Sequence, residues 1–82
     1  MESSSPPLLD LRGGDSPVLA LLVRQALSGL APGQHLEVLL TSPRWARDLP
    51  VIVRRAGDRC LGCRETGEGF SLLLARGGPP AP

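Results

Sequence analysis

A chain of 82 residues with 41% hydrophobic composition supports one small domain, close to the lower limit for a self-sufficient core. Its net charge of +1 argues against strong non-specific binding of nucleic acid, which needs many cationic contacts to phosphates. No apolar run approaches the roughly 18 residues of a membrane span, and the N-terminus lacks the positive-then-apolar order of a signal peptide. With only two cysteines, the chain is expected to be cytoplasmic and to have no membrane partner.

Serine, proline and glycine dominate both ends of the chain. We expect residues 1–7 to be a disordered N-terminal tail and residues 77–82 a flexible C-terminal tail, because such segments bury too little apolar surface to offset the entropy of ordering. Residues 8–76 are then the folded domain.

The first strand is predicted over Leu8–Arg12, where an apolar run ends at two glycines. The first helix is predicted over residues 17–30, since Pro17 suits the first helical position, where its missing N–H costs nothing. The hydroxyl of Ser16 can accept a hydrogen bond from an unpaired amide of the first turn. Position 16 is therefore expected at the positive end of the helix dipole, where proteins place thiolates and bind anions.

Alternating apolar residues predict a second strand over His35–Thr41. Residues 42–47 are predicted to form a loop or a single turn. Asp48 is predicted to cap a second helix, which tolerates Pro50 in its first turn and ends at Gly57. A strand, a helix and a strand joined by short connections suggest a parallel crossover between the two strands.

A β-hairpin is predicted at the C-terminal end of the domain. Arg59–Glu65 and Phe70–Arg76 are its strands, and residues 66–69 form its turn. The order β-α-β-α-β-β predicts an α/β fold, a two-layer sandwich in which a four-stranded mixed sheet carries both helices on one face.

Several short motifs follow one another with consistent gaps. They are Leu9-Asp10-Leu11-Arg12-Gly13 with Pro17; Ala26, Leu30, Pro32, Gly33, Leu36 and Val38; Thr41 with Pro43; Asp48-Leu49-Pro50; and Gly57. Together they resemble the TusA-like (SirA-like) sulfurtransferases, which are small sulfur carriers. The resemblance implies the same sandwich fold, and a cysteine that takes persulfide sulfur from a desulfurase or related donor and passes it to a partner.

The departures from the family pattern lie at and near the position that reacts with sulfur. The family's nucleophilic cysteine aligns with Ser16, its second motif proline with Leu19, and the aspartate of its third motif with Ser42. A serine hydroxyl ionises far above physiological pH, and oxygen cannot hold a sulfane sulfur as a persulfide does. Position 16, followed by the motif residue Pro17, is therefore interpreted as a structural helix cap at an inactive site.

Three other interpretations of Ser16 stay open. A cysteine could have been replaced deliberately, although the changes at Leu19 and Ser42 indicate drift of the whole site. A serine nucleophile would need a base, and the only histidine, His35, begins a different strand. The helix terminus could also bind an anion or a partner without any covalent step.

Cys60 and Cys63 form a C-x-x-C spacing. On a regular strand, residues three apart point to opposite faces, with their Cα atoms about 10 Å apart and beyond disulfide reach. Only a bulge at Gly62 could bring the sulfurs together, and no second ligand pair completes a zinc site. We expect two ordinary strand cysteines, no metal and no cofactor; if the protein carries sulfur, one of these thiols holds it.

Charged and apolar residues suggest a surface for partners. Asp10 and Arg12 point the same way on the first strand and are expected to form a structural ion pair. The region of the second helix is basic, through Arg44, Arg47, Arg54 and Arg55. These arginines form either a solvated face or a docking patch for an acidic surface. Leu21 and Trp45 have no evident place in the core pattern, and either can anchor an interface.

We therefore expect a degenerate TusA-like protein, most simply a monomer. It would bind a desulfurase, rhodanese or acceptor protein of a sulfur-transfer or redox system without carrying sulfur at residue 16, and whether it is an enzyme stays open. One alternative is an active sulfur carrier that uses Cys60 or Cys63. Another is an RNA-binding module, which rests on fold analogy alone and against which the near-neutral charge and scarce aromatics count.

Overall fold

Six regular elements make up the computed structural model, which describes residues 6–78. In chain order they are β1 (Leu8–Asp10), α1 (Val18–Ser28), β2 (His35–Leu40), α2 (Pro43–Arg55), β3 (Arg59–Thr66) and β4 (Gly69–Ala75). The strands form one sheet in the order β1-β2-β4-β3, with β1 parallel to β2 and the other neighbours antiparallel. The predicted α/β fold with a four-stranded mixed sheet is confirmed.

The core lies between one face of the sheet and the two helices. On β2 and β4 the side chains of this face are fully or almost fully buried, and they pair across the strands as Leu36 with Leu74 and Val38 with Leu72. The helices contribute the buried residues Leu19, Val23, Leu27, Trp45, Ala46, Leu49 and Val53 to the same cluster. Both helices therefore cover one face of the sheet, as the apolar periodicity predicts.

The ends of the domain extend slightly beyond the predicted boundaries. Pro7 accepts a hydrogen bond from the N–H of Glu37 at 2.9 Å, and the N–H of Gly77 donates to the Asp58 carboxylate at 2.8 Å. Both residues had been assigned to tails. The disorder predicted for residues 1–5 and 79–82 lies outside the described residues.

The second helix begins five residues before the predicted cap. Ser42 is its N-cap, with a hydroxyl that accepts a hydrogen bond from the N–H of Trp45 at 3.3 Å, and Pro43 occupies the first helical turn. The predicted loop over residues 42–47 is therefore wrong, and Asp48 lies inside the helix. Pro50 also lies inside the helix without ending it. The missed signal is the Ser-Pro pair at 42–43, which repeats the pair at 16–17.

Because α2 starts early, Trp45 lies in the core. Its side chain is one turn before Leu49 on the buried face, and the residue is only 8% exposed. The hypothesis that Trp45 anchors an interface is wrong for this reason. The indole Nε1 is buried without a hydrogen-bond partner among residues 6–78. Leu22 differs from the expectation in the opposite direction. The helical pattern of α1 places it in the core, but the residue is 38% exposed.

Trp45→Ala should lower the free energy of unfolding by about 3 kcal/mol or more, because it leaves a large cavity beneath α2. Trp45→Phe should cost clearly less, since it retains most of the apolar volume and removes an unsatisfied buried N–H, which itself costs about 1–3 kcal/mol. Urea denaturation followed by circular dichroism measures both. If the two variants lose equal stability, the indole N–H has a partner in solution.

Candidate functional site

Ser16, which the sequence resemblance aligns with a sulfur-carrying cysteine, lies just before α1. The helix begins at Val18 and is flanked by Pro17, so Ser16 is one residue further out than predicted. The hydroxyl of Ser16 nevertheless accepts a hydrogen bond from the N–H of Val18 at 3.2 Å, and its carbonyl accepts one from Leu19 at 2.9 Å. Ser16 is exposed. Its side chain therefore satisfies a free amide of the helix start while it remains open to solvent.

The loop before α1 is held against the start of α2. The N–H of Gly13 donates to the Thr41 hydroxyl at 2.8 Å, and the Ser42 hydroxyl donates to the Asp15 carboxylate at 3.2 Å. Ser42 thus caps α2 and ties it to the residue next to Ser16. The N-terminal ends of both helices consequently meet at one edge of the sheet, where β1 and β2 end. At Gly13 the backbone has a φ of 86°, which favours glycine there.

An ion-pair network borders this junction. Arg12 binds the carboxylate of Asp10 at 2.8 Å and also pairs with Glu68 in the β3–β4 turn. The predicted ion pair between Asp10 and Arg12 is present. The third member of the network is Glu68 rather than a residue of α2. Hydrogen bonds from Arg12 lower the pKa of Asp10 to about 2, and they raise the pKa of Arg12 in turn. All three groups are exposed, so the network orients the end of β1 more than it stabilises the fold.

A serine nucleophile at position 16 has no histidine within reach. His35 is the first residue of β2, whereas Ser16 lies beyond the opposite end of that strand. Six residues of strand separate the two ends, a span of about 20 Å. His35 cannot therefore act as a general base on the Ser16 hydroxyl, which would require hydrogen-bond distance.

The two cysteines share one face of the sheet. A β-bulge shifts the register of β3, so that Cys60 lies opposite Leu74 and Cys63 lies opposite Leu72. Because Leu72 and Leu74 both face the helices, the cysteines do so too, and the expectation of opposite faces is wrong. The extra residue is Leu61 rather than Gly62, since Gly62 already pairs with Leu73.

Neither thiol is arranged as an activated nucleophile. Burial raises the pKa of Cys63, and the neighbouring Cys60 and Glu65 raise it further. Cys60 is half-buried, and its sulfur lies 3.7 Å from the carbonyl oxygen of Gly62. Strand β3 is also three strand spacings, about 14 Å, from β1. The thiols therefore form a site separate from the junction at Ser16.

The predicted partner-binding residues divide into two surfaces. On α2, Arg44 and Arg47 are exposed and pair with Asp48 at 3.9 and 3.5 Å. The exposed Arg54 and Arg55 lie at the C-terminal end of the same helix.

The second surface lies on α1 and immediately follows Ser16. Leu21 is 57% exposed, and the sequence pattern missed its neighbours Val18 and Leu22, which are also exposed. We call Val18, Leu21 and Leu22 the α1 apolar patch. Val18 and Leu22 are one turn apart, so they occupy the same side of the helix as neighbours.

Over residues 6–78, no group of three or more histidine, cysteine or acidic side chains is placed to hold a metal ion. No helix over the same residues has the length and apolar character that a membrane crossing requires.

Comparison with known proteins identifies the family. The family model described as Sulfurtransferase TusA matches residues 8–76. The crystal structure of a SirA-like protein from Desulfitobacterium hafniense aligns with a TM-score of 0.71 at 19% identity, covering 88% of this chain and 97% of that one, and at this identity it shows a common fold. A search of curated proteins finds no match. Because the family model spans nearly all of the described residues, this chain belongs to the TusA sulfurtransferase family.

Proposed function

We propose that this protein binds protein partners of a sulfur-transfer system without carrying sulfur at residue 16. The observation that supports the proposal is an oxygen, on Ser16, at the exposed helix start where the family pattern has a cysteine. A thiolate at that position would be favoured by the positive end of the helix dipole. The hydroxyl instead remains protonated and serves as a hydrogen-bond acceptor for the helix.

The α1 apolar patch supports a role in binding. Three large apolar side chains are exposed within five residues of one helix, and the first of them is two residues from Ser16. Clustered exposed apolar side chains are typical of protein interfaces. A partner that approaches position 16, as the donor and acceptor proteins of the family do, would contact this patch. Its expected classes are a desulfurase, a rhodanese or a sulfur acceptor protein, in the cytoplasm.

The helix start retains the elements that a carrier would use. Ser42 replaces the family's aspartate but still caps α2 and still bonds to the loop before α1. Serine and aspartate are comparable helix caps, so this departure preserves the local architecture. Leu19, the other departure, is a buried core residue. Although these changes alone suggest drift of the whole site, both keep the local structure, and we infer that the loss of function is chemical and confined to one atom of residue 16.

Ser16→Cys should restore sulfur uptake, because it places a thiol at the end of a helix dipole that lowers its pKa. The variant is made in a Cys60→Ser/Cys63→Ser background and incubated with a cysteine desulfurase and cysteine. Intact mass spectrometry should show a gain of about 32 Da for one persulfide sulfur. The matched control is the Cys60→Ser/Cys63→Ser protein with its native serine, which should gain nothing. No uptake by the Ser16→Cys variant would contradict a loss confined to one atom.

A second candidate function is sulfur carriage by Cys60 or Cys63. It is favoured by the β-bulge, which gathers both thiols on one face of β3. It is opposed by the raised pKa of Cys63, because a protonated thiol attacks sulfane sulfur poorly. Wild-type protein treated with the same desulfurase distinguishes the two. A stable persulfide on either thiol would overturn the proposal of a non-carrying partner protein.

The reactivity of Cys63 should depend on pH in a specific way. Since its pKa is raised, the thiolate fraction at neutral pH is below that of an ordinary cysteine, and alkylation by iodoacetamide should accelerate at a higher pH than for an ordinary cysteine. In Cys60→Ser the midpoint should move down, because one of the neighbours that raise the pKa is gone. The pH profile of the alkylation rate measures both effects. A midpoint below that of a free cysteine peptide would contradict the burial assigned to this thiol.

A further inference from the structure

A groove between α1 and α2 is not used by the family site. It consists of two adjoining depressions of about 320 and 270 Å³ that share Arg24 and Ala56 as lining residues. We call this the interhelical groove, and the residues that define it are Leu21, Arg24, Ile52, Arg55, Ala56 and Arg76. Its residues on α2 belong to the last turn and the cap of that helix, so the groove does not include Ser16, although its residue Leu21 also belongs to the α1 apolar patch.

Three guanidinium groups line the interhelical groove. Arg24 comes from α1, Arg55 from α2, and Arg76 follows β4. Within residues 6–78 none of them lies within ion-pair distance of a carboxylate, in contrast to Arg12, Arg44 and Arg47. The acidic residue at the groove, Asp58, is buried and accepts a hydrogen bond from the N–H of Gly77. Positive charge is therefore in excess along the groove.

Arg76 contributes a donor that is held in place. The backbone N–H of Arg76 donates to the carbonyl of Gln34 at 2.8 Å, and the backbone carbonyl of Arg76 accepts from the N–H of Gly33 at 2.8 Å. The backbone of Arg76 is therefore held by two hydrogen bonds. Its Nε is buried and has no acceptor among residues 6–78. These backbone bonds hold Arg76 in place beside the groove.

Apolar side chains flank the arginines. Leu21, the outlier on the polar face of α1, lies on one wall, and Ile52 and Ala56 lie on the other. Ligand sites commonly combine an apolar lining with a few convergent polar groups, in volumes from about 300 Å³ upward.

We propose that the interhelical groove binds a small oxyanion with two or more negative charges. Arg76 would contact the anion from the end of β4, and Arg24 and Arg55 would contact it from the two helices. Charge-assisted hydrogen bonds from guanidinium to oxyanions are strong and directional, which suits this arrangement. The ligand would occupy a site independent of residue 16, so its binding and the proposed partner function can fail separately.

Titration of the full-length protein with inorganic pyrophosphate, at ionic strength held constant with sodium chloride, tests the site. Two-dimensional ¹H–¹⁵N NMR should show saturable shifts confined to the residues of α1 and α2 that line the groove and to Arg76. Arg76→Met retains an apolar stem and should weaken binding by about tenfold or more, since one of the three charged partners is lost. Arg64→Met is the control, because Arg64 lies on the sheet face away from the helices and should leave the affinity unchanged.

Two outcomes would overturn the inference. Equal affinity in Arg76→Met and Arg64→Met would show that pyrophosphate binds elsewhere, and non-saturable shifts spread over the surface would show diffuse attraction only. Arginines near helix C-termini can also serve the helix dipoles alone. In that case Arg76→Met lowers thermal stability without any change in pyrophosphate binding, which likewise contradicts the site. If Arg76→Met does not fold, the exposed pair Arg24→Gln and Arg55→Gln gives the same test.

Discussion

The contact on which the site depends is the pair of hydrogen bonds between the loop before α1 and the start of α2. Thr41 accepts from the backbone of Gly13, and the hydroxyl of Ser42 donates to Asp15 while it caps α2. These bonds bring two Ser-Pro helix starts together at the ends of two parallel strands. They fix the direction in which each helix leaves the sheet, and they leave Ser16 exposed. The same few hydrogen bonds therefore orient the helices and position the residues around Ser16.

The hydroxyl of Ser16 accepts a hydrogen bond from the N–H of Val18, so an oxygen at this position is compatible with the helix start. The structure also weakens two other readings of the chain. A serine nucleophile lacks a histidine at hydrogen-bond distance, and the two aromatic side chains of the protein, Trp45 and Phe70, are at least half buried and so offer little to stack on nucleic-acid bases. What remains exposed beside Ser16 is the α1 apolar patch.

Much of the fold could be predicted from local patterns. The strand alternation in β2 and β4 and the helical period in α1 depend on local sequence, and the structure agrees with them except at Leu22, which is exposed. The start of α2 was missed because Pro50 drew the predicted helix towards Asp48, while the stronger Ser42-Pro43 signal was taken for a loop. The burial of Trp45 was missed for the same reason, because the predicted helix did not include this residue. The shared face of Cys60 and Cys63 could not be predicted, because a bulge depends on pairing with β4, which lies outside the strand's own sequence.

The interhelical groove illustrates a similar limit. Leu21 is an anomaly on a helical wheel, and Arg76 is unremarkable as the residue after a strand. Only the packing of α1 beside α2 brings them to one cleft with Arg24. Sequence periodicity predicts which face of each helix is buried against the core. It does not predict which side of one helix faces its neighbour.

The bulge at Leu61 has a consequence for how copies of the protein meet. Strand β3 is an eight-residue edge strand with an exposed leucine, and such an edge can recruit a strand from another molecule. A bulge breaks the regular spacing of the free backbone groups, so a second chain finds only short stretches in register. The opposite edge, β1, is three residues long and offers little to pair with. The sheet thus resists growth into aggregates at both margins.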